Sequence, residues 1–202
     1  MFTHGHWDHV MGHTALPDAP VWVSAHLATA VATNDPRAAR YLEDAREFDS
    51  RWYVPRPAGH RWPQALRGLD EGTQSWAGGD LEVLHLPGHS PDGLGLVVDG
   101  ALLPGDYLSP CEIPFVDDVA AYQQTLRRLI ELLADLHEVI PGHGPRLTAP
   151  EAIAIARADL DYLDRLASSP DRASAESMAW PRAVDVVGMR DHHLENVAKR
   201  FS

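Results

Sequence analysis

His4-Gly5-His6-Trp7-Asp8-His9 places an H-x-H-x-D-H cluster almost at the start of the chain. Three imidazoles and a carboxylate so close together are costly to pack as ordinary structure. They are the donor types that zinc and related ions accept, at about 2.0–2.2 Å. In an extended backbone alternate side chains share a face, so His4, His6 and Asp8 are expected on one side and His9 on the other. That arrangement divides ligands between two neighbouring sites better than it closes one tetrahedron. The remaining ligands must then come from further along the chain.

Three downstream segments repeat one design. Leu86-Pro87-Gly88-His89 follows an apolar run, as do Leu102-Leu103-Pro104-Gly105-Asp106 and Val139-Ile140-Pro141-Gly142-His143. Each reads as a short buried strand that stops at Pro-Gly and then presents one ligand-type side chain from a loop. The chain has 12 histidines, so isolated ones carry little information. His13, His26, His60, His85, His137, His192 and His193 read as surface or core histidines, with substrate contact an option for the last two.

The order H-x-H-x-D-H, then His89, Asp106 and His143, resembles the metallo-β-lactamase-fold metallohydrolases over residues 1–150. The resemblance implies an α/β (α+β) fold, an αββα sandwich with the site along one edge. It implies that His4, His6 and His89 hold one metal, that Asp8, His9 and His143 hold a second, and that Asp106 bridges them. Members of the family carry strands before the first motif, and Met1-Phe2-Thr3 corresponds to the stub of the last of these. An N-terminally truncated version with one short sheet is therefore expected. Asp106 stands where β-lactam-cleaving members typically have cysteine, which disfavours that activity. Gly105-Asp106-Tyr107 and the helix after it look similar to the hydroxyacylglutathione-hydrolase branch. Residues 108–115 lack the Gly/Arg-rich segment of those thioesterases, so no glutathione substrate is assigned. Tyr107 and His193 are the candidates for substrate contact.

The resemblance implies a hydrolase of a small ester, thioester or lactone. Two ions, zinc first and Fe2+ as the alternative, would lie about 3.5–4 Å apart and share a hydroxide. Asp8 would be the catalytic residue, orienting the nucleophile and carrying a proton to the leaving group. An iron-dependent thiol or persulfide dioxygenase, with a single iron held by His4, His89 and Asp106 from the same ligands, is a second reading, and an inactive remnant is a third.

Composition narrows the partners. With 202 residues, one domain is the default: a motif-bearing part over 1–150 and C-terminal helices over 151–202. The formal net charge is −12, and no Lys/Arg cluster tracks phosphates, which argues for a small-molecule substrate and against nucleic acid. No apolar run approaches the ~20 residues of a membrane span. Cys111 is the only cysteine, so no intrachain disulfide forms, which fits a cytoplasmic setting. The oligomeric state is left open by the sequence.

The pattern predicts a strand at Val21–Ser24 and a helix over 25–33. A second helix is capped by Asp35 with Pro36 at its first position. Residues 54–69, rich in Pro, Arg and Trp, read as a loop or lid over the site. Gly78-Gly79-Asp80 turns into a strand over 81–86. Asp99-Gly100 marks a hairpin. A helix opens at Asp117 or Asp118, another at Thr148 with Glu151 completing a capping box, and a last one spans about 188–200.

Overall fold

The computed structural model describes residues 1–16, 18–76, 78–182, 184 and 187–201. Two sheets carry the fold. One pairs β1 (Val21–Ser24) in parallel with β2 (Leu66–Leu69). The other has six strands in chain order: β3 (Gly72–Trp76), β4 (Gly79–His85), β5 (Leu94–Val98), β6 (Ala101–Leu103), β7 (Glu138–Val139) and β8 (Leu147–Thr148). All its neighbours run antiparallel except β6 and β7.

The helices are α1 (Trp7–Val10), α2 (Ala25–Ala32), α3 (Pro36–Trp52), α4 (Val119–Leu132), α5 (Ala149–Ser168), α6 (Arg172–Glu176) and α7 (Met189–Arg200). Their starts follow the expected chemistry. The Asp35 carboxylate accepts from the Arg37 amide at 2.8 Å, and Asp118 accepts from Ala121 at 2.9 Å. Glu151 accepts from both the amide and the hydroxyl of Thr148, at 2.8 and 2.7 Å. The threonine hydroxyl is thus seen donating to the carboxylate.

Successive side chains of a strand point to opposite faces, and here both faces are covered. Val83 of β4 and Leu94 of β5 pack with Leu69 and Trp22 from the smaller sheet. Leu84 and Leu102 point the other way, into the main core with Leu126 and Leu129 of α4 and Leu163 and Leu166 of α5. Val21 and Val23 of β1 turn their backs on the larger sheet and pack under Leu27 of α2 and Tyr41 of α3. The order is helix, sheet, sheet, helix. β1, β6 and the start of β5 read as apolar runs because they are covered on two sides, whereas β2 and β3 are largely exposed.

Three segments differ from expectation. Residues 7–10 form a helical turn rather than extended chain. Residues 66–69 are a strand, because β1 offers them a parallel edge that their own composition does not announce. The rest of the supposed lid, 54–65, is fastened to α3: Asp49 is buried, takes two bonds from Arg56 at 2.5 and 3.0 Å, and lies 2.6 Å from His60 Nε2. No described helix is long and apolar enough to cross a membrane.

The opening residues bridge the two sheets. The Phe2 amide donates to Trp22 O of β1 at 2.9 Å, and the Leu94 amide of β5 donates to Thr3 O at 2.7 Å. That places His4 directly at the seam.

Candidate metal centre

All seven side chains singled out from the motifs meet at this seam. His4, His6, His89 and Asp106 offer one donor atom each within one group, and Asp8, His9 and His143 form a second beside it. The division follows from the helical turn. His4 and His6 lie before α1, and Asp8 and His9 lie on it, aimed at His143.

In the first group His4 Nε2 lies 3.0 Å from His6 Nδ1, and His89 Nε2 lies 3.2 and 3.1 Å from the same two atoms. His89 Nδ1 is 2.9 Å from Phe115 O, so it carries the proton and leaves Nε2 as a bare lone pair. Lone pairs crowded this closely repel unless something positive sits among them. Donors bound at about 2.0–2.1 Å to a tetrahedral ion stand at about this spacing from each other.

Asp106 joins the groups. Its Oδ2 lies 3.3 Å from His89 Nε2, 3.6 Å from His4 Nε2 and 3.4 Å from His143 Nε2. Its Oδ1 lies 3.0 Å from His9 Nε2, yet both of these buried atoms lack a hydrogen bond. Two polar atoms in contact but misaligned point past one another towards a shared third position. The donor set and this orphaned pair fit a divalent metal pair.

Electrostatics differ between the groups. Burial lowers the pKa of His4 and His6 and takes His89 down to about 4, so this set is neutral at pH 7. Burial acts against charge on His9 as well, but contact with Asp106 and Asp8 raises it to about 9. His143 is raised to about 11, by Asp106 first and then Asp8. Both carboxyls are held well below their usual range, because those imidazole contacts outweigh burial.

A raised histidine stabilises the fold below its unfolded pKa, and that stabilisation is lost as pH rises through the folded value. Chelator-treated protein is therefore expected to lose melting temperature between about pH 6.5 and 11. Zinc should flatten that slope, since a bound metal has already displaced the protons. Thermal melts across pH with and without zinc provide the check.

Other residues hold the cluster in place. The buried Asp92 carboxylate accepts from the Gly5 amide at 2.7 Å and from the Tyr41 hydroxyl at 2.9 Å. Tyr41 packs so closely that a Cβ on Gly5 would lie 2.4 Å from its ring. The Thr3 hydroxyl lies 3.2 Å from His4 Nδ1 and 3.3 Å from His9 Nδ1. Asp92→Ala would leave two buried donors unanswered, and the Gly5 amide sits between two ligands. It is expected to cost zinc affinity about 10–100-fold, read by competition with a chromogenic chelator.

The substrate-contact candidates lie elsewhere. Tyr107 is buried; its hydroxyl donates to Pro87 O at 2.6 Å and accepts from the His89 amide at 3.0 Å, which latches the loop bearing His89. His193 is fully buried with Nδ1 2.9 Å from the Tyr162 hydroxyl. The buried face of α7 runs through Met189, His193, Asn196 and Val197, and this turns the preceding residue, His192, onto the wall of the cavity beside the cluster. His192 stacks edge-on against Phe115, with ring centroids 4.9 Å apart. The cavity, about 350 Å³, is also lined by Trp7, Ile113 and Met189.

The model of the family described as Metallo-beta-lactamase superfamily matches residues 1–143. The chain belongs to the metallo-beta-lactamase superfamily. Solved members of the same fold include ST1585 from Sulfolobus tokodaii, at 20% identity and a TM-score of 0.59, covering 96% of this chain and 74% of that one. TTHA1623, solved in a di-iron-bound form, is 29% identical with a TM-score of 0.52, over 74% of this chain and 71% of that one. The stereoselective inverting sec-alkylsulfatase Pisa1 from Pseudomonas sp. aligns with 99% of this chain but 40% of its own length, at 14% identity and a TM-score of 0.63. As a superfamily member with a candidate metal cluster, the chain is hydrolase-like.

Proposed function

We propose that this chain is a metal-dependent hydrolase of a small ester, thioester or lactone, working with two zinc ions in a cytoplasmic setting. His4, His6 and His89 would hold one ion, Asp8, His9 and His143 the other, and Asp106 both. The observation that carries this reading is the convergence of imidazoles from three other loops on Asp106, whose two oxygens face imidazoles of both groups. A bound divalent pair supplies a water of lowered pKa and polarises a substrate carbonyl.

The chain's own residues do the rest. Asp8 is 30% exposed on the cavity side, 3.3 Å from His143, and is placed to orient the attacking water and pass its proton to the leaving group. Trp7, Ile113, Phe115 and Met189 exclude bulk water and seat the substrate. The motif resemblance favours the hydroxyacylglutathione-hydrolase-like branch, but residues 108–115 contain no arginine, so glutathione thioesters are not the proposed substrate. The formal charge of −12 supports a small-molecule substrate over nucleic acid.

Asp8→Ala is expected to lower turnover of a chromogenic ester by about 10²–10⁴-fold while the His4, His6 and His89 set keeps one equivalent of zinc. Unchanged turnover would remove the role assigned to Asp8. The likeness to a di-iron protein supports a second reading, in which the same residues hold iron and oxidise a thiol or persulfide. Elemental analysis of the protein as isolated, together with oxygen uptake, separates the two.

A further inference from the structure

Beyond the proposed ligands, the charged lining of the cavity beside the cluster is acidic. Trp7, stacked on Phe48 at 4.0 Å, and Phe115 line it together with Asp44 and Glu112, and no lysine or arginine does among the described residues. Several cations on the surrounding elements are already paired. Arg40 pairs with Asp44 at 2.8 Å, and Arg46 pairs with Glu43 at 2.8 Å. Arg182 bonds Asp159 and the carbonyls of Ser109 and Glu112. Arg190 donates to Glu176 O at 3.0 Å, and Lys199 pairs with Asp117.

Glu112 differs from Asp44 in having no ion pair among the described residues, and its charge is felt at His143. It follows Asp106 on the loop that Arg182 grips, so its backbone is anchored at the cavity it lines. With two divalent ions bound, Asp8 and Asp106 are taken up by the metals, and Glu112 is left as a carboxylate of the wall beside them. Nothing at the outer wall would receive an anionic tail. An ammonium group, by contrast, would find aromatic faces beside a carboxylate, the surroundings such groups favour.

We infer that the cavity takes small acyl compounds whose non-reacting end is cationic, seated against Trp7 and Phe115 beside Glu112, and rejects those ending in sulfonate, carboxylate or phosphate. This rests on the hydrolase reading and deepens it to a substrate class. A volume of about 350 Å³ lies at the small end of ligand pockets, roughly 300–1,000 Å³, so one short acyl chain fills it.

The test uses three unreactive amides of equal length ending in trimethylammonium, tert-butyl or sulfonate. Calorimetry measures their binding to zinc-loaded and to chelator-treated protein. The expected order in both states is cation, then neutral, then anion, with about tenfold between first and last or more. Glu112→Gln is expected to shrink the cation-to-neutral ratio by several-fold while zinc content holds. The inference is overturned if sulfonate binds as well as trimethylammonium, if no amide binds, or if Glu112→Gln leaves the ratio unchanged. The matched esters keep the two readings apart. Ordered amide binding without ester turnover sinks the hydrolase reading alone, and ester turnover with no charge preference sinks this inference alone.

Discussion

Asp106→Ala is expected to end both metal binding and turnover. The carboxylate is 11% exposed, and four imidazoles lie within 3.6 Å of its two oxygens. Removing it takes away the larger of the two carboxylate contacts that keep His9 and His143 charged without metal, and the one donor shared by both groups in the proposed assignment. Loss of an outer-shell partner costs about 10–100-fold in affinity; loss of this shared donor should exceed that and lower ester turnover by about 10³-fold or more. Metal analysis after dialysis is expected to give less than one equivalent of zinc. Zinc should no longer raise the melting temperature, since a ligand stabilises only a state it binds. Retention of two equivalents would remove Asp106 from the assignment.

The seven side chains that cluster were legible in the sequence because chain chemistry announces them locally. Pro-Gly after an apolar run stops a strand and presents the next side chain, and this happens at His89, Asp106 and His143. The hairpin at Asp99-Gly100 was equally plain, since both residues take positive φ, 49° and 75°, which Asp and Gly tolerate. The missed features depend on distant partners. Asp92 matters because Gly5, 87 positions earlier, needs an acceptor. Leu66–Leu69 became a strand because β1 lies beside it, and nothing in Leu-Arg-Gly-Leu requires that. His192 rather than His193 faces the cavity because the packing of α7 fixes its rotation, and two adjacent histidines cannot show which is turned inward.

Gly88→Ala is expected to be the most damaging single methyl in the chain. Gly88 has φ +124°, and a Cβ there would lie 2.3 Å from Tyr122 N and 2.4 Å from Tyr122 Cα. That obstacle is backbone of α4, which no rotamer change can move. The Gly88 carbonyl also accepts from Asp117 and Asp118 at 2.8 and 3.0 Å, which pins the start of the same helix. Strain and overlap together are expected to cost about 3–5 kcal/mol or to prevent recovery of soluble protein. Gly12→Ala is the matched control, since nothing lies within 4 Å of its added Cβ. Urea unfolding should leave Gly12→Ala close to the parent and shift Gly88→Ala to far lower denaturant.

The bridging position of the opening residues carries a mechanical implication. In the proposed assignment each ion takes two ligands from the loop beside β1 and, with the shared Asp106, two from loops of the larger sheet, so the cations rivet the two halves of the sandwich. The packing of α4 and α5 on their own sheet needs no such rivet. Stripping the ions should loosen α2 and α3 while the opposite half keeps its amide protons, so the molecule would come apart along the seam where its chemistry takes place.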